Sequence, residues 1–163
     1  MIKLLNSISK LRCYSSSASN ILKSGDILKQ SRIFSTADIS EYSKLTRDIN
    51  PLHFDMGCAT KAGFKDIPVP GMLVASLFPR IIASRFPGAV YAKQTLEFKS
   101  PVFVGDEIVG EVEASVVRRM NGNSFVVKFA TRCFKGGDDN NVVVISGEAT
   151  AILPTLDVKM DDS

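Results

Sequence analysis

The chain has 163 residues, 45% of them apolar, with 20 basic against 17 acidic side chains. That length fits one domain with a buried core, and no apolar run approaches the roughly 20 residues a membrane-spanning helix needs. Three of the cations (Lys3, Lys10, Arg12) fall within residues 1–14, which hold no acid. Without them bases and acids cancel, which removes the basic face that nucleic-acid binding requires.

The first 25 residues form a separate compositional zone. Leu4, Leu5, Ile8 and Leu11 follow helical spacing, seven serines enrich the segment, and the first acid is Asp26. An amphipathic, basic, serine-rich, acid-free start has the profile of a mitochondrial transit peptide and implies a matrix protein. Arg12-Cys-Tyr-Ser15 looks like a processing site, with the cut near Tyr14. The expected organisation is a leader over 1–25 and one domain over 26–163.

Residues 27–34 read as a short strand. Ser35-Thr-Ala-Asp38 carries a hydroxyl cap and an acid three residues on, so a helix is predicted from there to Thr46, with Ile39, Tyr42 and Leu45 on one face. Asn50-Pro51 is a turn signal that places Asn50 as N-cap, Pro51 at the first position and His53 at the third position of a short helix. Another short helix runs toward Lys61 and stops at Gly63. Pro68 and Pro70 break the pattern before Gly71. Residues 71–86 are then apolar on nearly all sides, so this helix must be buried, with a kink expected at Pro79.

The second half changes period. Segments 89–98, 107–117, 124–134 and 142–153 read as strands, with Ile108, Gly110, Val112, Ala114 and Val116 sharing one face. Asn121-Gly-Asn123 and 136–141 are turn signals. A long antiparallel sheet plus one buried helix predicts an α+β fold in which the sheet wraps around the helix, with a homodimer available to cover what stays open.

His53 is the only histidine. Asp48 precedes it by five residues across the Asn50-Pro51 turn, so a carboxylate and an imidazole can share one pocket, hold a water molecule and move its protons. Gly71 opens the apolar helix, where unpaired N–H groups polarise a carbonyl and a missing Cβ lets a ligand approach. Cys58 and Cys133 show no metal-ligand spacing, so no metal site is expected, and Cys58 reads as a small packed residue rather than a nucleophile. Lys61, Lys65, Arg80, Arg85, Lys93 and Lys99 form a cationic zone suited to an acidic partner or to a phosphate-bearing substrate, or else simply to solvent.

RDINPLHFD, PVPGMLVASLF and LEFKSPVFVGDEI together resemble the MaoC-like or (R)-specific enoyl-thioester hydratase family, over roughly residues 30–153. The ordered D-x-N-P-x-H element is the specific part. The resemblance implies the hot-dog fold and a hydro-lyase that removes water reversibly from (3R)-3-hydroxyacyl thioesters. It implies Asp48 and His53 as the catalytic pair, with Asp48 the main base, the Gly71 amide as donor to the thioester carbonyl, and Asn50 as support for the turn. It further implies no cofactor, an acyl-thioester substrate on acyl-carrier protein or coenzyme A, and a homodimer. Two positions depart from the family pattern: Arg47 stands where glycine is frequent, and Pro70 where histidine is frequent. The acyl tail is expected along the apolar helix, where Met72, Leu77, Phe78, Ile81 and Phe86 are candidates, although most of them read rather as plain core. A non-catalytic acyl-thioester binder and a thioesterase are the competing readings.

Overall fold

A computed structural model describes residues 22–120, 124–136 and 141–154. The processing site and the tips of both predicted hairpins (121–123 and 137–140) lie outside the described residues. Leu22 is buried in the core and the Gly25 N–H bonds to the Ala114 carbonyl, so residues 22–25, grouped with the leader on composition, are joined to the domain.

The elements follow in the order β1 (Ile27–Ile33), α1 (Thr36–Thr46), a single 3-10 turn (Pro51–His53), α2 (Met56–Lys61), α3 (Gly71–Ala75), α4 (Leu77–Arg85), β2 (Val90–Phe98), β3 (Glu107–Arg119), β4 (Phe125–Lys135) and β5 (Val142–Leu153). The strands form one antiparallel sheet in the order β1-β3-β4-β5-β2. This is the α+β hot-dog arrangement, with the sheet curled around the apolar helix.

Local chemistry explains most boundaries. Ser35 and Asp38 close a reciprocal capping box at the start of α1. The helix ends at Arg47, whose φ of 62° puts a non-glycine residue in the left-handed region. Of the predicted apolar face, Ile39 is buried, but Leu45 is 85% exposed because only the first turns of α1 meet the core.

The buried helix is not continuous, and its interruption differs from the predicted kink at Pro79. α3 stops at Ser76 and α4 begins immediately after it. The cause is still Pro79. A helical proline lacks the N–H and crowds the carbonyl four residues earlier, which here belongs to Ala75. The break falls one turn upstream, where the Ser76 hydroxyl bonds back to the Leu73 carbonyl at 2.6 Å, and it leaves Pro79 in the first turn of α4, whose N–H groups need no partner within the helix.

α4 packs chiefly on β3 and β1. Gly110 permits this crossing: a Cβ there would lie 3.1 Å from Ile81 and 3.2 Å from Leu77. Leu77, Phe78 and Ile82 of α4 meet Ile108, Val112, Val127 and Phe129 of the sheet in a fully buried core. The predicted alternation of β3 holds to Ala114. A register shift between Ala114 and Val116 then reverses the faces, so Val117 rather than Val116 packs on the core.

Candidate active site

The turn after α1 builds itself from local hydrogen bonds. The Asn50 side chain accepts from the Leu52 N–H at 3.1 Å and so caps the 3-10 turn that carries His53. The Asp48 carboxylate accepts from the Asn50 N–H at 3.1 Å, which folds it back over the same turn. Ser43 donates its hydroxyl to the Asp48 carbonyl. Asn50 thus serves both neighbours, one through its side chain and one through its backbone.

The imidazole is fixed from elsewhere. His53 Nδ1 lies 2.8 Å from the Pro68 carbonyl oxygen. A carbonyl only accepts, so Nδ1 carries a proton, and in the neutral ring Nε2 keeps its lone pair. The Pro68 carbonyl is itself immobilised: Pro68 bridges to Phe103, and the Val69 N–H bonds to the Val102 carbonyl at 2.7 Å. Because Nδ1 is spent on a carbonyl, Asp48 is not the Nδ1 partner of His53, and any exchange between the two runs through Nε2.

A cavity of about 460 Å³ opens beside this ring. His53, Gly71 and Met72 line it together with Leu52, Phe64, Val74, Phe98, Lys99, Ser100 and Ile145. The structure therefore brings His53 and Gly71 to one cavity. No hydrogen-bond partner for the Gly71 N–H is present among the described residues, as expected at a helix start. Asp48 is exposed and is not part of the lining. Of the predicted tail-binding residues, Met72 lines the cavity, while Leu77, Phe78, Ile81 and Phe86 are buried core.

Of the six predicted cations, Lys99 lines the cavity. It pairs with Glu97 at 2.8 Å, and its hydrogen bond and charge hold that carboxyl below the usual carboxylate range. The Cys58 thiol is pushed up by its hydrogen bond to Asp55, and Cys133 is pushed up by burial to about 12, so both are protonated thiols rather than nucleophiles near neutrality. Among the described residues no group of histidine, cysteine and carboxylate side chains could hold a metal ion. Phe64, Phe98 and Ile145 escaped the sequence reading as site residues. Phe98 alone lay inside a motif already singled out, LEFKSP.

Over most of its length the chain is similar to known proteins. The family model described as MaoC like domain matches residues 21–131. The mitochondrial 3-hydroxyacyl-(acyl-carrier-protein) dehydratase of Solanum lycopersicum is 54% identical over 156 residues, covering 96% of this chain and 92% of that protein. Its namesake from Arabidopsis thaliana is 55% identical over 149 residues, covering 91% and 88%. The solved (R)-hydratase of A. caviae superimposes with a TM-score of 0.71 at 34% identity, covering 83% of this chain and 97% of that one.

Proposed function

The chain belongs to the MaoC-like domain family and is a hydro-lyase of the hydratase/dehydratase type; on that footing we propose that it interconverts (3R)-3-hydroxyacyl and enoyl thioesters in the mitochondrial matrix, with Asp48 and His53 as its catalytic pair. The observation that carries this reading is the tethered imidazole of His53 on the same cavity as the free amide of Gly71.

In the dehydration direction the Gly71 N–H donates a hydrogen bond to the thioester oxygen and stabilises the negative charge developing on it, which makes the C2 proton removable. The dyad takes that proton, the C2–C3 double bond forms, and the C3 hydroxyl leaves as water with a proton returned from the dyad. In hydration the same water, held between His53 Nε2 and the Asp48 carboxylate, adds to C3 while a proton goes to C2. Both transfers occur on one face of the substrate, so the addition is syn. Two such groups share their protons, and the pH dependence belongs to the pair. Side chains and a backbone amide handle every proton and charge, so the scheme calls for no added cofactor.

The carrier is proposed to be acyl-carrier protein, in keeping with the names of the two plant relatives. An assay with 3-hydroxybutyryl thioesters of both carriers, using each enantiomer, separates this from a coenzyme A hydratase. Asp48→Asn and His53→Gln are each expected to lower turnover at least about 100-fold with the far-UV circular dichroism unchanged. Near-normal turnover of crotonyl thioester by both variants would reject the dyad.

A further inference from the structure

Phe98 is the large apolar side chain of the cavity with no evident reason to be there. It ends the edge strand β2, it is 54% exposed, and it contributes little to the core. Its backbone is nonetheless held firmly. Phe98 pairs with Ile145, another lining residue, and the Val144 carbonyl receives both the Lys99 N–H at 2.9 Å and the Ser100 N–H at 3.4 Å. Val144 is the extra residue where β5 slips register against β4, between Cys133 and Phe134, and such a bulge re-aims neighbouring side chains.

The ring is aimed at Gly71. A Cβ on Gly71 would lie 2.6 and 2.8 Å from two carbons of the Phe98 ring. Gly71 has no positive φ to require glycine. What the missing side chain admits is therefore, first of all, this ring. A flat apolar group seated on the Gly71 Cα closes that side of the cavity to water and stops the adjoining amide from shifting.

We propose that Phe98 is a positioning residue for the reaction: it acts through Gly71, holding that backbone in place and dry where the thioester carbonyl is polarised. The role rests on the reading of Gly71 given above. It matters to rate because charge develops on the carbonyl oxygen in the transition state, where a displacement of about 1 Å can cost about 100-fold. The loss should therefore fall on kcat rather than KM.

The test is steady-state turnover of crotonyl thioester by the full chain carrying Phe98→Ala, Phe98→Leu, Gly71→Ala or Gly71→Ala with Phe98→Ala. Phe98→Ala is expected to lower kcat about 10- to 100-fold with KM changed less than about threefold, and Phe98→Leu, which keeps an apolar cover, to fall between it and the parent. Gly71→Ala forces the ring aside, so the double variant should be no slower than Phe98→Ala alone, a departure from additivity expected of residues in contact. The role is overturned if kcat of Phe98→Ala and Phe98→Leu stays within about twofold of the parent. It is equally overturned if the two single losses multiply in the double variant, since Gly71 would then serve the ligand independently of the ring. Melting temperature and native mass, measured alongside, separate these losses from misfolding, and Phe98→Leu carries the test if Phe98→Ala does not fold. A parent without turnover rejects the hydro-lyase site itself, and this role with it; an active parent matched by both Phe98 variants rejects only the role.

Discussion

Asp38 shows how much a single short-range contact decides. Its carboxyl is held below its ordinary value of 3.8, first by the Ser35 backbone N–H, then by the Ser35 hydroxyl and by Arg32. A carboxylate whose folded pKa is depressed adds stability above its unfolded value, and that stability is lost as pH falls through the folded value. Ser35→Ala should therefore cost about 1 kcal/mol near neutrality, with the gap between variant and parent narrowing below about pH 4 in urea titrations. The same class of contact was legible in the sequence at the candidate site. Asn50, Pro51 and His53 form the predicted turn because every bond in it spans five residues or fewer. The Pro68 carbonyl that fixes His53 lies 15 residues away, and nothing local announces it. Phe98 was hidden for the same reason: its meeting with Gly71 depends on where β2 lands, not on any spacing.

At the level of elements, period and punctuation placed all five strands and the helical segments within a few residues. They did not give the strand order. β2 precedes β3 in the chain but pairs with β5 at the far edge, because the connection through residues 99–106 carries the chain across the sheet. One glycine records that pairing. A Cβ on Gly147 would lie 1.9 Å from the Thr95 carbonyl oxygen of β2, and backbone cannot step aside as a ring can. Gly147→Ala should destabilise by about 3 kcal/mol or more, whereas Gly110→Ala, which meets only the side chains of Leu77 and Ile81, should cost about 1–2 kcal/mol. Thermal unfolding of the two variants side by side measures the difference, and equal losses would show that the β2–β5 pairing yields as readily as the core.

Seen whole, the single chain leaves much apolar surface around the candidate site in water. Ile49 is 80% exposed, and Phe54, Met56 and Met72 are each about half exposed. The edge strand β2 adds Val90 and Phe98. Unpaired strand edges and clustered apolar side chains of this kind are characteristic of association surfaces. The expected outcome of light scattering at micromolar concentration is a mass twice that of the chain; a strictly monomeric species would leave this surface without a purpose. The sequence suggested a dimer only by way of the fold, because exposure is a property of the packed chain.

The placement of α4 over β3 and β1, rather than over the middle of the sheet, separates two duties. One side of the molecule bears the weight of folding. The other borders the cavity with residues that follow β2, where Lys99 and Pro101 line it from exposed positions outside the buried core. Substitutions at such positions can retune what the protein accepts at little cost to folding, so a change of preferred acyl group between relatives should be sought first there and last on the buried rod.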